Sequence, residues 1–362
     1  MPLDQQTALD ALKKVMDPEL RRDLVSLGMV KDLKVQGDGV SLKVELTTPA
    51  CPLKDTIGRD VETALRAAGA KKVEIAWGAQ VRSAPGVSQA QLTPGVKNII
   101  LVGAGKGGVG KSTVALNLAI SLAQTGAKVG ILDADIYGPS IPILTGLTQR
   151  PTSKDGQKLE VLHAHGVSVM SIGFLIDPEQ ALIWRGPMVT GALVQLLRDV
   201  NWGELDYLVL DLPPGTGDVP LTLAQNVKAA GVVLVSTPQD VALADVIRAK
   251  LMFDKVSIPV LGIVENMSAF VCPHCRTETP IFDKGGARTA AEKMGIRFLG
   301  EIPIDLAIRE GGDQGRPVTA HHPDSPQAQA FLNVAKNVAG AVSTQVLKAP
   351  RLPVIGGAQP RA

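Results

Sequence analysis

Residues 98–113 read NIILVGAGKGGVGKST. Asn98–Val102 is an apolar run of strand length, and the glycines after it break the run. Gly105, Gly110, Lys111 and Ser112 fit the pattern G-x-x-x-x-G-K-[ST]. Each position has a physical reason. Glycines allow a tight backbone nest whose N–H groups surround phosphate oxygens. The helix expected from Ser112 to about Gln124 aims its positive end at the same anion. Lys111 neutralises β- and γ-phosphate charge, and Ser112 ligates Mg²⁺. The expected nucleotide-binding set is therefore Gly105, Lys106, Gly107, Gly108, Val109, Gly110, Lys111, Ser112 and Thr113. Gly103, Gly105 and Gly108 also satisfy the dinucleotide pattern G-x-G-x-x-G, with Asp133 as the ribose acid. That reading has no use for Lys111 and Ser112, whereas the phosphate loop uses both.

Outward from this loop, short apolar runs recur with helix-length segments between them: Lys128–Leu132, Val167–Ser171, Tyr207–Leu210, Gly231–Ser236 and Val260–Val264. This spacing predicts parallel strands with crossover helices, an α/β, doubly wound, mostly parallel sheet. Ligands of such sheets bind at the carboxyl ends of the strands. Residues 1–76 read as a small α+β domain ahead of it. Leu9, Leu12, Val15 and Met16 have helical spacing that stops before Pro18. Val30–Val35 and Val40–Leu46 alternate as a hairpin around Gly37-Asp38-Gly39, residues 52–68 carry a helical apolar face, and Lys72–Ala76 is a short strand. Residues 77–95, with Pro85, Gly86, Pro94 and Gly95, read as a linker. The P-loop ATPase domain then spans 96–345, and residues 346–362 read as a mobile tail.

Lys+Arg total 37 against 35 Asp+Glu, a formal charge of +2, and aromatics are only 3%. A chain so close to neutral and so poor in rings argues against nucleic acid as a partner. No apolar run reaches the ~18 residues of a membrane span, and the first residues, with Asp4 and Asp10, hold no signal core. The 3 cysteines, Cys51, Cys272 and Cys275, are too few for a disulfide scaffold and odd in number. That predicts free thiols in a reducing, cytoplasmic setting.

Two segments supply carboxylates where the sheet ends. Lys128–Leu132 leads into Asp133-Ala134-Asp135, and two acids one strand from the loop can face a γ-phosphate, one near Mg²⁺ and one on water. Capping of the next helix is the competing reading. Tyr207–Leu210 ends in Asp211, followed by Leu212-Pro213-Pro214-Gly215-Thr216-Gly217-Asp218. An apolar strand closing on Asp is the Walker B arrangement, whose acid holds Mg²⁺ or its water. The Pro and Gly residues after it suit a segment that changes conformation on hydrolysis.

Lys106, inside KGGVGKS, resembles the extra lysine of the deviant phosphate loop in the SIMIBI class of ATPases, which includes the MinD/ParA and nitrogenase iron-protein groups. There that lysine crosses a homodimer to the partner's nucleotide, so the resemblance implies a catalytic role in trans for Lys106. It also implies Asp133 as a metal-side acid and Asp135 as the water-positioning residue, acting with Lys111 and Asp211. Asn266, in Glu265-Asn266-Met267-Ser268, becomes the base-binding residue, since an amide offers adenine a donor and an acceptor together.

Cys272-Pro273-His274-Cys275 admits half a zinc site, a dithiol redox pair or half an iron–sulfur ligand set. Tetrahedral zinc and cubane clusters take four ligands, and the remaining cysteine lies in another domain. A twofold dimer brings two copies of the motif together as Cys₄. Cys51, in Thr47-Thr48-Pro49-Ala50-Cys51-Pro52, sits at an expected strand-to-helix turn, where a thiol tends toward thiolate. An accessory thiol and a structural cysteine both remain open for it.

GKGGVGKST, DADIYGPSIP, DYLVLDLPPGTGD and ENMS with CPHC together resemble the Mrp/ApbC family of iron–sulfur cluster carrier ATPases from about residue 95 to residue 340. MDPELRRDLVSLGMV and TTPACP resemble the MIP18-like domain that precedes the ATPase in bacterial members. The resemblance implies a [4Fe–4S] cluster bridged between two subunits by Cys272 and Cys275. It also implies ATP- and Mg²⁺-dependent transfer of that cluster to apo iron–sulfur proteins, with cluster assembly scaffold proteins as further partners. A ParA/MinD-like partitioning ATPase and a cluster-bearing reductase share parts of the pattern. The first wants a basic surface or an amphipathic C-terminal helix, the second single, widely separated cysteines. Zinc stays open beside the cluster.

Overall fold

The computed structural model describes residues 3–83, 92–176, 186–217, 221–222, 226–272, 274–275 and 277–348. Residues 84–91 of the expected linker, most of the expected tail (349–362), and Asp218, Pro273 and Arg276 lie outside them.

The small N-terminal unit packs α1 (Gln5–Leu12) and α2 (Lys54–Ala67) on a three-stranded sheet of β1 (Val30–Gln36), β2 (Gly39–Leu46) and β3 (Lys72–Ala79). β1 and β2 form the expected antiparallel hairpin, and β3 joins β2 in parallel. Period-two alternation puts Val40, Leu42, Val44 and Leu46 of β2 inside, against Ile57, Val61 and Leu65 of α2. Helical spacing overran at the first helix. α1 ends at Leu12, because the Val15 carbonyl accepts from Leu24 N at 3.1 Å and Met16–Asp17 pairs with Arg22–Asp23. Val15 is still buried, but Met16 is 47% exposed. β3 runs to Ala79 rather than Ala76, and Val81 beyond it enters the core of the large unit.

The large unit is built on β4 (Val96–Gly103), β5 (Val129–Asp133), β6 (Leu162–Ala164), β7 (Val167–Ser171), β8 (Leu205–Asp211), β9 (Gly231–Ser236), β10 (Val260–Val271), β11 (Glu278–Thr279) and β12 (Phe298–Ile304). Among the described residues they form one 9-stranded sheet in the order β6-β7-β5-β8-β4-β9-β10-β11, with β12 also on β10. All pairs are parallel except β6–β7 and β10–β11. This is the doubly wound sheet expected from the apolar runs, and β6, β11 and β12 are additions at its margins.

Both faces are covered. Ile100 and Val102 of β4, with Tyr207 and Val209 of β8, point into a layer that holds α3 (Lys111–Gln124) and α10 (Pro326–Lys348). Ile99 and Leu101, with Leu208 and Leu210, point into the opposite layer with α5 (Gly186–Asp199), α6 (Asp240–Lys255) and α7 (Gly286–Met294). Strands buried on both faces read as continuous apolar runs, which is why they were visible in sequence. Shorter helices α4 (Ile141–Thr145), α8 (Leu306–Asp313) and α9 (Val318–His321) complete the unit.

The small unit seats on the amino ends of these strands. The Tyr207 hydroxyl donates to Thr48 Oγ1 at 3.0 Å in a buried contact, Asn98 Nδ2 donates to the Arg82 carbonyl at 2.9 Å, and Arg297 pairs with Glu19 at 2.8 Å. Tyr207, Asn98 and Arg297 lie at or just before the starts of β8, β4 and β12. The carboxyl ends of the same strands are left for ligand.

Candidate functional site

At the carboxyl end of β4 the chain turns through Ala104–Gly110 and enters α3. Gly110 takes φ 78° and Gly108 φ 81°, left-handed angles that side chains resist. Gly105 is required by space: a Cβ there would lie 2.3 Å from the backbone carbonyl carbon of Asp245 on α6. The resulting loop lines an open cavity of about 290 Å³ together with Lys111, Ser112, Thr113, Asp135, Ser140, Leu144 and Pro214. Lys106 lies on the wall of this cavity and makes no ion pair among the described residues.

Lys111 is buried, and its Nζ lies 2.6 Å from Asp211 Oδ1, 3.2 Å from Ser112 Oγ and 3.9 Å from Asp135 Oδ2. The other Asp211 oxygen, Oδ2, is buried with no hydrogen-bond partner among the described residues. A buried carboxylate oxygen without a donor is costly and fits a Mg²⁺ ion or its water, with Ser112 Oγ close by. Burial pushes the Asp135 carboxyl above its ordinary range, against the attraction of Lys111.

Three of the candidate residues are engaged within the chain itself. Asp133 spends both oxygens locally: Oδ1 accepts from Asp135 N at 3.1 Å, and Oδ2 accepts from Ile141 N at 3.0 Å and from Ser171 Oγ at 3.1 Å. It therefore holds the 133–141 loop in shape. Burial, then the nearby Asp211 charge, pushes its pKa up to about 7. Asn266 donates its Nδ2 to the Val109 carbonyl at 2.8 Å, so its amide is also tied to the phosphate loop. Cys51 packs against the core of the small unit, and burial pushes its thiol up to about 11. The backbone N–H groups of Leu53 and Lys54 pull the other way but lose to burial, so it is no thiolate.

Cys272 and Cys275 stand on a hairpin raised by β10 and β11, in which Phe270 pairs with Thr279 and Val271 with Glu278. Cys272 N donates to the Thr277 carbonyl at 3.0 Å. Cys275 is exposed, and its Sγ lies 3.2 Å from Thr277 Oγ1. Hydrogen bonds from the Thr277 hydroxyl, the Thr277 backbone and Cys272 bring the Cys275 thiol down to about 7. Among the described residues, no group of three or more His, Cys, Asp or Glu is placed to hold a metal ion, so one chain brings two thiols to this tip.

One buried charge escaped the sequence reading. Glu265 is fully buried, with Oε1 accepting from Gly285 N at 2.9 Å and Oε2 from Ala287 N at 2.7 Å at the start of α7. The available signal was a carboxylate inside the otherwise apolar run VLGIVEN. Leu144 on the cavity wall had no signal of its own.

Two outcomes follow. Lys111→Met leaves Asp211 buried without its cation and lowers unfolding free energy by about 3–5 kcal/mol, while Lys111→Met/Asp211→Leu recovers most of the loss in urea titrations. Because the thiolate is the nucleophile, alkylation of Cys275 rises to half its maximum near pH 7, whereas Cys51 stays protonated until about pH 11. Thr277→Val moves the Cys275 midpoint up toward the ordinary thiol value of about 8.5, read by mass spectrometry of the labelled peptides.

Comparison with known proteins agrees with this geometry. A family profile described as NUBPL iron-transfer P-loop NTPase matches residues 95–339, and one described as iron-sulfur cluster assembly protein matches residues 5–77. The chain is 52% identical to the iron-sulfur cluster carrier protein of Deinococcus radiodurans, over 96% of this chain and 99% of that one. It is 44% identical to the protein of that name from Escherichia coli, over 92% and 91% of the two chains. Among solved structures, the nucleotide-binding protein of Archaeoglobus fulgidus in complex with ADP superposes with a TM-score of 0.59 at 43% identity, covering 68% of this chain and 96% of that one. The MinD cell division ATPase of Pyrococcus furiosus superposes at 0.53 with 24% identity, over 67% of this chain and 98% of that one, a likeness of fold. The chain thus belongs to the NUBPL-type iron-transfer P-loop NTPases, the Mrp/ApbC family that its motifs resemble, with an iron–sulfur assembly domain ahead of the NTPase.

Proposed function

We propose that this chain is an ATP-dependent carrier that holds an iron–sulfur cluster between two copies of itself and hands it to apo-proteins. The observation that carries the reading is the Cys272/Cys275 pair, half-buried and exposed respectively, standing at the end of the same strand whose Asn266 holds the phosphate loop. The names and full-length coverage of the carrier relatives support it.

ATP binds with its phosphates in the Gly105–Thr113 loop, where backbone N–H groups and Lys111 meet the charge. Ser112 Oγ and Asp211 hold Mg²⁺, which neutralises phosphate charge when bound. Asp135 faces the same cavity as the carboxylate that orients the attacking water. Lys106 extends toward the nucleotide of a partner copy. The Pro213–Gly217 segment after Asp211 and the 133–141 loop are the two switches that respond to the phosphates.

The cargo is a [4Fe–4S] cluster bound by four thiolates, two from each copy across a twofold axis. An exposed tip suits a cargo that must be received from an assembly scaffold and released to a client. Three free thiols agree with a reducing cytoplasm. No helix among the described residues is long and apolar enough to cross a membrane.

Anaerobic reconstitution followed by iron and sulfide counting tests the cargo site. The wild-type chain takes up both, and Cys272→Ser/Cys275→Ser takes up neither; unchanged iron in the double variant would sink the assignment. Lys106→Ala tests the trans lysine: turnover falls by about 10²–10³-fold while nucleotide affinity changes far less. Equal losses of affinity and turnover would make Lys106 a loop residue acting within its own chain.

A further inference from the structure

Glu265 and Asn266 are neighbours on β10, so their side chains leave opposite faces of the sheet. On one face, Asn266 Nδ2 holds the Val109 carbonyl and fits so closely that a Cβ on Gly110 would lie 2.2 Å from it. On the other, the Glu265 carboxylate takes Gly285 N and Ala287 N, the residues that close the excursion carrying the cysteines and open α7. Two charge-assisted hydrogen bonds at a helix N-terminus, made by a fully buried carboxylate, form a stiff anchor. The outgoing arm of the excursion starts from the same place. Met267 takes φ 57°, and the pairing of β10 with β12 slips between Asn266 and Phe270, so the strand bends as it leaves for Cys272.

A second route runs in parallel. Gly105 of the phosphate loop packs on the Asp245 backbone of α6, and Gly286 packs under the Pro238 carbonyl just ahead of that helix. Both routes end at the base of the cysteine excursion, and Glu265 is the side chain that gathers them there.

We propose that Glu265 and Asn266 are positioning residues that couple the phosphate loop to the cysteine hairpin. Phosphates entering the loop change the setting of Val109 and Gly110. Asn266 moves with the Val109 carbonyl, and the displacement passes along one peptide to Glu265 and so to the return end of the hairpin. A nucleotide then has different contacts in the two hairpin arrangements, which is the requirement for any ligand-driven shift. The proposal deepens the carrier reading and rests on it for its purpose, but it is tested without a cluster.

The test measures alkylation rates of Cys272 and Cys275 in the reduced, iron-chelated full chain, with and without saturating Mg²⁺·ADP. In the wild type the nucleotide changes these rates by about fivefold or more, the scale of an ordinary coupling between sites. In Glu265→Gln, which still binds ADP, the ratio falls to about one, while Cys51 keeps its wild-type rate. A wild-type ratio retained in Glu265→Gln overturns the proposal, as does a wild-type chain whose hairpin thiols ignore ADP. A rise at Cys51 in step with Cys275 assigns Glu265 a general stabilising role and likewise overturns it. If Glu265→Gln does not fold, Glu265→Asp, which keeps the charge but withdraws it by one methylene, is read by the same outcomes. Loss of iron binding by the cysteine variants bears on the cargo; these rates bear on the coupling.

Discussion

The buried pair between Lys111 and Asp211 governs the site. Taking both charges out of water costs several kcal/mol per ion, and one contact at 2.6 Å repays this only in part while Asp211 Oδ2 finds no donor among the described residues. The arrangement makes sense as one half of an exchange. On the proposed reading, a phosphate group would draw Lys111 toward itself, and a divalent cation would take its place beside Asp211. The same pair disturbs its surroundings. Asp211 is the second cause, after burial, of the raised Asp133 pKa, and it also works against ionisation of Asp135. Asp135 on the cavity wall and Asp211 beside Lys111 set two carboxylates against one buried lysine, an arrangement that favours added positive charge.

β8 ties that charge to the rest of the protein. The strand runs from Leu205 to Asp211, so its two ends serve different neighbours. At the carboxyl end Asp211 meets Lys111. Near the amino end the buried Tyr207 hydroxyl meets Thr48 of the small unit. Ala50, two residues on, belongs to the same apolar cluster as Tyr207 and Val209. The small unit is thus packed into the core beneath the nucleotide site. Cys51, in the same segment, packs instead against the small unit's own core, and that burial takes from it the reactivity that its turn position promised.

Much of the fold was legible because its signals are local. The phosphate loop is a contiguous motif whose glycines answer to backbone angle and close approach. The inner strands are apolar on both faces, and the runs Val167–Ser171 and Gly231–Ser236 matched the observed elements at both ends. What escaped depends on contacts that exist only once the chain has folded. The donors on Asp133, Ser171 among them, left no mark in the sequence. Neither did the bond from Asn266 to Val109, far away along the chain. Met16 kept helical spacing but lost its helix to a pairing with Asp23. Glu265 gave only the weak signal of a charge in an apolar run, since its two partners become neighbours only after α7 docks.

The length of β10 resolves a conflict between the two chemistries. Nucleotide hydrolysis calls for a site screened from water, whereas a cluster that must be handed on calls for exposed thiolates. β9 spans 6 residues and ends level with the phosphate loop, but β10 spans 12 and continues past the edge of the sheet. Its first half is buried and belongs to the nucleotide core; its last residues pair with β11 in solvent. At about 3.3 Å per residue, the stretch from Asn266 to Cys272 reaches at most ~20 Å beyond the phosphate loop. That distance is short enough for a displacement of the loop to be felt at the tip. It is also long enough to set the cysteines clear of the cavity, where a second copy can approach them without entering it.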